Sequence, residues 1–400
     1  MTVSCTRRLL KQLVRLLPEV NIRSFDHDVV GPENAKTHIV IKDPAAIFQL
    51  LRAPRGLGLA RAWVTGQIEI FGDIAPLIKS ERKLVNSRLA VEVVGSALRL
   101  LPQVGLKVIR ATGPTDTEYS RFRPGTHSIA SDLREIDFHY SLPPDYYSRI
   151  LGPSMTYSCA VFPDNKSTLE QAQNNKHKII ANKLRLSPES SVLDIGCGWG
   201  GFLEYVNREI GCPTVGITAS QGQYNYLNNQ KDRIGGLILH GDYRQHLPTA
   251  NVSHAVSIGM YEHVGAKNSL EFFSCVNSTL PSHGLFLNQA IVRSRGNAQF
   301  RKNGFIQRYI FPNAHVLSLS RQLLDIEKAG FSVISIETFG SHYADTLTMW
   351  NANLRKNWDD CVKLVGEATA RAWIMYLEGS RFRFEAGIVD LAQVLVQKQK

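Results

Sequence analysis

The ten residues VLDIGCGWGG, Val192 to Gly201, constrain this chain more than any other stretch. An apolar run ending in Asp194 has the pattern of a strand buried in a parallel sheet. The glycines that follow let the backbone turn tightly under a ligand where a side chain would collide. GFLEYVNREIG then reads as a helix closed by Gly211. Strand, glycine-rich turn and helix in that order make the ligand-binding corner of a doubly wound sheet. The glycines fall at 196, 198, 200 and 201, so the dinucleotide spacing G-x-G-x-x-G is met only through Gly201. The next strand, TVGITAS, offers Thr218 and Ser220 where a dinucleotide site places a ribose-binding acid. A turn serving only strand-to-helix packing is the plain alternative.

Around this corner strands and helices alternate. TLEQAQNNKHKIIANKLRL reads as a helix leading into the loop, and LILHGDYR, SHAVSIGMYEHVG, GLFLNQAIV, FSVISIETFG and IVDLAQVLVQK continue the alternation. The pattern implies a mainly parallel sheet covered on both faces, with ligands at the carboxyl ends of its strands. Two aromatic-rich turns, His139-Tyr140 and Tyr157-Ser158-Cys159, precede the loop and could fold over it as a lid. In IGMYEHVG, Glu262 and His263 emerge just after an apolar strand, at the ligand edge. A buried carboxylate is costly unless it meets a positive charge or donors, and a bound cation would supply that charge. The plain alternatives are a helix N-terminal acid for Glu262 and a satisfied core histidine for His263; only the second is preferred.

The 400 residues, 44% apolar, suffice for two domains with real cores. From about Asn21 to Asp73 the chain reads as a small separate α+β domain; VNSRLAVEVVGSALRLLPQVGLKVI is helical in pattern, and ATGPTDTEYSRFRPGTHS is a linker ending near Ser128. Of the net charge of +11, +8 sits in residues 1–125, which hold 19 Lys+Arg against 11 Asp+Glu. Something acidic is expected to meet that end. In RRLLKQLVRLLP, Leu10, Leu13, Val14 and Leu17 share a helical face flanked by Arg7, Arg8, Lys11 and Arg15. That suits an interfacial helix or a surface helix of the N-terminal domain equally. Charges threaded through the leucines argue against a secretory signal, and no run approaches the ~20 apolar residues of a membrane span. Six scattered cysteines without C-x-x-C or metal-ligand spacing argue for a reducing cytoplasm and no structural metal. Basic surfaces also bind nucleic acid, but no helix-turn-helix or RNA-binding signature is present, so no nucleic-acid partner is expected.

The D-x-G-x-G-x-G pattern resembles the S-adenosylmethionine (SAM) loop of seven-strand methyltransferases. HYSLPPDYY, LGPSMTYSCAVF, VLDIGCGWGGF, GITASQGQ, IGMYEHVG, FIQRYIFPNA, HYADTLTMW and FRFEAGIVDLAQVLVQK occur in the order found in the cyclopropane-fatty-acyl-phospholipid synthase family, which includes the mycolic acid cyclopropane synthases. The likeness runs from about residue 130 to the C-terminus and more loosely through the region before it. NLRKNWDD through AWIMYLEGSRFRFE is similar to the actinobacterial branch, some of whose members make methylene- or methyl-branched chains. The resemblance implies an α/β fold: a seven-strand, Rossmann-like SAM methyltransferase sheet with a smaller N-terminal α+β domain. It divides the chain into a lipid-docking domain and linker, 1–125, and a methyltransferase domain, 126–400.

The implied activity is methyl transfer from SAM to the cis double bond of a phospholipid acyl chain, giving a cyclopropane fatty acid at the inner face of the cell membrane. Methylene or methyl branching, or a soluble substrate, are the alternatives. Alkene attack leaves a carbocation, so water must be excluded, and aromatic faces attract a cation. Tyr140, Phe162, Tyr261, Tyr309, Phe311 and Tyr343 are the available rings, and FIQRYIFPN is a candidate substrate lid. The family's base is understood to be bicarbonate held by a cysteine, a glutamate, a histidine and a tyrosine. Carried over by motif these are Cys159, Glu262 and Tyr343, with Gln289 at the histidine position and His139 as a further catalytic candidate. Gln289 can donate a hydrogen bond but cannot hold a proton. Ser380 also departs, standing where many members have cysteine. For SAM, the resemblance places Tyr157 and Ser158 over the methionine end and Asp194, Gly196, Gly198 and Gly200 beneath it. Thr218, Ser220 and Gln223 reach the ribose, and Asp242 and Tyr243 flank adenine, a turn cap being the alternative for Asp242. The working expectation for assembly is a homodimer.

Overall fold

A computed structural model describes residues 5–52, 56–78, 95, 113–119, 127–247, 252–294, 304–312 and 314–400. The expected helix over VNSRLAVEVVGSALRLLPQVGLKVI lies outside the described residues except for Gly95, as does half of the expected linker. Contacts gather the chain into two compact units. One comprises Met1–Ser120, Asn303–Ile310 and Gly366–Gly379; the other comprises Arg121–Lys302, Phe311–Val365 and Ser380–Lys400. A contiguous cut at residue 125 therefore does not describe the grouping, because two short later segments join the first unit.

The first unit holds a four-stranded sheet in the order β2-β1-β3-β4, with β1 Val20–Arg23, β2 Val29–Val30, β3 Thr37–Ile41 and β4 Ile68–Gly72. β1 and β3 run parallel, and the other pairs antiparallel. The helix Cys5–Leu16 packs on β1 and β2. Leu9, Leu10, Leu13 and Leu17 are buried, while Arg7, Arg8, Lys11 and Arg15 face solvent. The burial of Leu10, Leu13 and Leu17, with Val14 half-buried, favours the reading of RRLLKQLVRLLP as a surface helix of this unit. Among the described residues, no helix is long and apolar enough to cross a membrane.

In the same unit the Arg61 guanidinium is paired in fork geometry with the buried Glu118 carboxylate at 2.7 and 3.0 Å. The Tyr309 hydroxyl donates to Glu118 at 3.0 Å and lies 2.8 Å from Thr115 Oγ1. Tyr309, one of the rings considered for an acyl channel, is therefore committed to the first unit.

The second unit is built on a seven-stranded sheet in the order β10-β11-β9-β8-β5-β6-β7. Its strands are β5 Val192–Ile195, β6 Thr214–Thr218, β7 Leu237–His240, β8 His254–Ile258, β9 Leu285–Arg293, β10 Phe331–Thr338 and β11 Val389–Lys398. Only β11 is antiparallel to its neighbours. All four β5 side chains are buried, as a strand covered on both faces requires. The chain leaves β5 toward β6 and β7 and then returns to β8 on its other side. That reversal opens a crevice at the carboxyl ends of β5 and β8.

Leu10→Ala should destabilise the first unit by ~2–4 kcal/mol, the cost of deleting a buried leucine side chain. Charge reversal at the exposed Arg8, Lys11 and Arg15 should cost under about 0.5 kcal/mol each. Urea unfolding measures both; equal losses would show that the leucine face does not hold the helix.

Candidate active site

A cavity opens at that crevice, lined from the carboxyl ends of β5, β6, β7 and β8 and from two segments preceding the sheet. Of the residues expected to hold a cofactor, Tyr157, Ser158, Asp194, Gly196, Gly198, Thr218, Gln223, Asp242 and Tyr243 line it. Gly200 and Ser220 do not. Gly198 and Gly200 both have positive φ, 59° and 85°, for different reasons. A Cβ on Gly198 would meet only Gln223 Nε2, at 4.0 Å, so the missing side chain keeps the cavity open. A Cβ on Gly200 would come within 2.6 Å of Leu227 and 2.8 Å of Ile234, so this glycine serves packing. Ser220 Oγ caps the helix Gln221–Asn228. Thr218 Oγ1 donates to Gln223 Oε1 at 2.7 Å, which fixes the Gln223 amide beside the glycine loop.

Asp242 is a cap as well as a wall: it accepts from Arg244 N at 2.9 Å, and its carboxylate pairs with the Arg244 guanidinium at 2.6 and 2.7 Å. Arg244 also pairs with Asp132 at 2.7 Å. With Arg244 holding it, Asp242 bounds the cavity as half of an ion pair and not as a bare carboxylate. Tyr243 is buried with its hydroxyl among the unpartnered atoms, and burial pushes that phenol up.

Aromatic side chains close one side. His139 and Tyr140 end the helix Ile129–Tyr140 and do not form a turn. His139 stacks on Tyr157 with a ring-centroid distance of 5.6 Å, its Nε2 lies 3.2 Å from the Tyr157 hydroxyl, and Phe311 packs against it at 4.0 Å. Tyr140 Oη lies 3.4 Å from His263 Nε2. His263 lines the cavity, contrary to the preference for a core histidine. Burial holds its pKa down to about 4, so its ring is neutral. Three other expected rings lie elsewhere. Tyr261 hydrogen-bonds Ser269 in the core, Phe162 stacks on His342, and Tyr343 packs on Phe384 at 4.6 Å.

The residues proposed for the base do not line this cavity. Cys159 is fully buried, its Sγ 3.1 Å from the Ala160 carbonyl, and burial pushes its thiol well up. Tyr343 sits one turn beyond Phe339, whose carbonyl is 3.8 Å from the same sulfur. Glu262 accepts from Ile291 N at 2.7 Å, while its Oε2 is buried without a partner. Desolvation raises its pKa from 4.5 to about 7. Gln289, two residues before Ile291 on β9, accepts from Gln393 Nε2 at 2.9 Å, and Gln393 accepts from Lys183 Nζ at 2.7 Å. Gln289 Nε2 is buried without a partner.

Sequence reasoning passed over Lys176, His177, Asp132 and Arg244, all in the cavity wall. Lys176 left a trace. In the helix Leu169–Lys183, the buried face runs through Ala172, Gln173, Lys176, His177 and Ile180, so a lysine sits where the period demands an apolar residue. Among the described residues, no cluster of three or more His, Cys, Asp or Glu could hold a metal ion.

Known proteins resemble this arrangement. The family model described as mycolic acid cyclopropane synthetase matches residues 127–394. A probable fatty acid methyltransferase of Mycobacterium tuberculosis is 35% identical over 389 residues, covering 94% of this chain and 90% of its own length. The cyclopropane-fatty-acyl-phospholipid synthase of Escherichia coli is 34% identical over 260 residues, 65% of this chain and 66% of its own. A solved mycolic acid cyclopropane synthase complexed with S-adenosylhomocysteine (SAH) and CTAB aligns with a TM-score of 0.63 and 29% identity, over 66% of this chain and 98% of its own.

A carboxylic acid with a raised pKa binds more protons folded than unfolded between its two pKa values. Its contribution to stability therefore falls as pH rises from about 4.5 through about 7. Glu262→Gln removes that dependence. Its stability relative to wild type should rise by about 1–3 kcal/mol between about pH 5 and about pH 8. Denaturant titrations at the two pH values test this, and a flat difference would mean that a positive charge meets Glu262.

Proposed function

The chain belongs to the mycolic acid cyclopropane synthetase family of SAM-dependent methyltransferases, and from that premise we propose that it methylates the cis double bond of an unsaturated fatty acyl chain carried by a phospholipid and closes the product to a cyclopropane. The observation that carries this reading is the pairing of a cofactor cavity lined by Tyr140 and Tyr157 with two further rings, His139, which packs on both, and Phe311, which packs on His139. An alkene is a weak nucleophile that becomes a carbocation, and such rings attract cationic charge while excluding water.

SAM fits the cavity. Asp194 presents a buried, unpartnered Oδ1, and the missing Gly198 side chain leaves room over the loop. When bound, the cofactor supplies a methyl group on a positive sulfonium, and the electron pair of the broken C–S bond stays on sulfur. The proposed cofactor residues are Tyr157, Ser158, Asp194, Gly196, Gly198, Thr218, Gln223, Asp242 and Tyr243. Gly200 and Ser220 shape the loop and helix that carry them. On the substrate, the alkene's π electrons form the new C–C bond and leave a cation on the neighbouring carbon. Loss of a proton from the added methyl lets that C–H pair close the ring.

Glu262 is the group of this chain best suited to receive the proton or stabilise the cation. It is a buried carboxylate with a free oxygen and a pKa near neutrality. Bicarbonate fits this neighbourhood in part. Glu262 Oε2 lacks a donor and Gln289 Nε2 lacks an acceptor, and the ion carries one of each, so those two residues would hold it and it would supply a base. Cys159 fits less well, since its sulfur already faces backbone carbonyls.

The same attack has a second outcome, a methylene branch formed when a hydride shift precedes proton loss, and two relatives carry the broader name of probable fatty acid methyltransferase. Docking on an anionic leaflet falls to the outward Arg8, Lys11 and Arg15, since the leucines beside them are buried.

Expression in a host rich in oleoyl lipids, with SAM carrying a trideuterated methyl group, tests the reaction. Lipid acyl chains should gain CH2 and retain two deuteriums. An exocyclic double bond cleaved by ozone would identify the branched product, and unchanged lipids from a protein that binds SAM would refute the substrate assignment. Glu262→Gln should lower turnover at least ~100-fold, the scale of a lost acid–base group, with SAH affinity kept. Reversing Arg8, Lys11 and Arg15 should weaken binding to anionic vesicles, more so at low salt; unchanged binding would remove the docking assignment.

A further inference from the structure

At one end of the cavity, two charges are buried with little to satisfy them. Lys176 is fully buried, and among the described residues its one side-chain hydrogen bond goes from Nζ to Ser158 Oγ at 2.8 Å. Asp194 is 2% exposed, its side chain makes no hydrogen bond among the described residues, and its Oδ1 is buried without a partner. Both line the cavity together with Ser158. The same helix face holds Ser158 from behind as well, because Gln173 Nε2 donates to the carbonyl of Ser158 at 2.9 Å and to that of Thr156 at 3.3 Å. Neither charge is at ease: desolvation brings the Lys176 ammonium down to about 7 and the Asp194 carboxyl up to about 7, each offset in part by the other.

We propose that Lys176 is a cofactor-binding residue that, with Ser158 and Asp194, forms a clamp for the zwitterionic amino-acid half of SAM. The proposal rests on SAM being the occupant of the cavity. Because Lys176 donates to Ser158 Oγ, the serine proton is turned away from the lysine and is free to meet the ligand carboxylate. The ammonium behind it supplies the compensating charge. Asp194 receives the ligand's α-ammonium. The clamp reads a chemical pattern, one anion and one cation a few bonds apart, that the nucleoside half of the cofactor lacks. It also explains why a lysine interrupts the buried face of its helix: bound ligand repays part of the cost of burying it.

Calorimetry of the full-length protein with two probes tests the clamp: SAH, which carries the amino-acid half, and 5′-methylthioadenosine, which keeps the nucleoside and sulfur but lacks it. Wild type should bind SAH far more tightly than methylthioadenosine. Lys176→Met should weaken SAH by roughly 10- to 100-fold, the range for losing a charge-assisted hydrogen bond, and leave methylthioadenosine within about twofold. Ser158→Ala should lower SAH affinity in the same selective way. The double variant should lose less than the product of the single losses, because the two residues act as one unit. Equal losses for both probes in Lys176→Met, or none for either, would overturn the proposal. Wild type failing to prefer SAH would overturn it also, and wild type binding neither probe would remove the cofactor assignment beneath it.

Discussion

Charge buried without enough partners is the constraint on which the methyltransferase unit turns. At the end of β5 a carboxylate and an ammonium lie in a low-dielectric wall, and neither has the hydrogen bonds that would settle it. Such a pair persists only because the sheet around it is fixed. β5 lies between β6 and β8 with all four of its side chains buried, and the helix carrying Lys176 is anchored through Gln173 to the segment that carries Ser158. The stability of the rest of the fold holds this strained end in a shape complementary to a zwitterion.

Glu262 shows the same physics in a second place. Its raised pKa also comes from desolvation, but its partner is one backbone amide and it lies off the cofactor cavity. A carboxyl near neutrality that keeps one oxygen free can take a proton or face a cation, roles closed to a fully paired one. Asp242 makes the contrast. It is equally buried, but Arg244 holds both of its oxygens, so it shapes the cavity as half of an ion pair.

The N-terminal unit answers a different demand. Its helix buries Leu9, Leu10, Leu13 and Leu17 and keeps Arg7, Arg8, Lys11 and Arg15 in solvent. The buried Arg61–Glu118–Tyr309 group is likewise internal to this unit.

Much was legible in the sequence because it depends on local pattern. VLDIGCGWGG, followed by alternating apolar runs and helical periods, determined a doubly wound sheet with its ligand edge at the glycine loop, and Tyr157, Ser158, Asp194, Gly198, Thr218 and Gln223 do line that edge. What the pattern could not decide was which neighbour each side chain would find. Gly198 and Gly200 are both left-handed glycines of one loop, yet one faces the cavity and the other faces Leu227 and Ile234. The leucines of the first helix suit a bilayer or a sheet equally until β1 and β2 are in place. Lys176 is a solvated charge in any helix considered alone and becomes a buried one only when Ser158 and β5 close over it. Periodicity reports which face of an element is apolar, whereas desolvation and pairing depend on atoms distant in sequence, and only the tertiary structure brings those together.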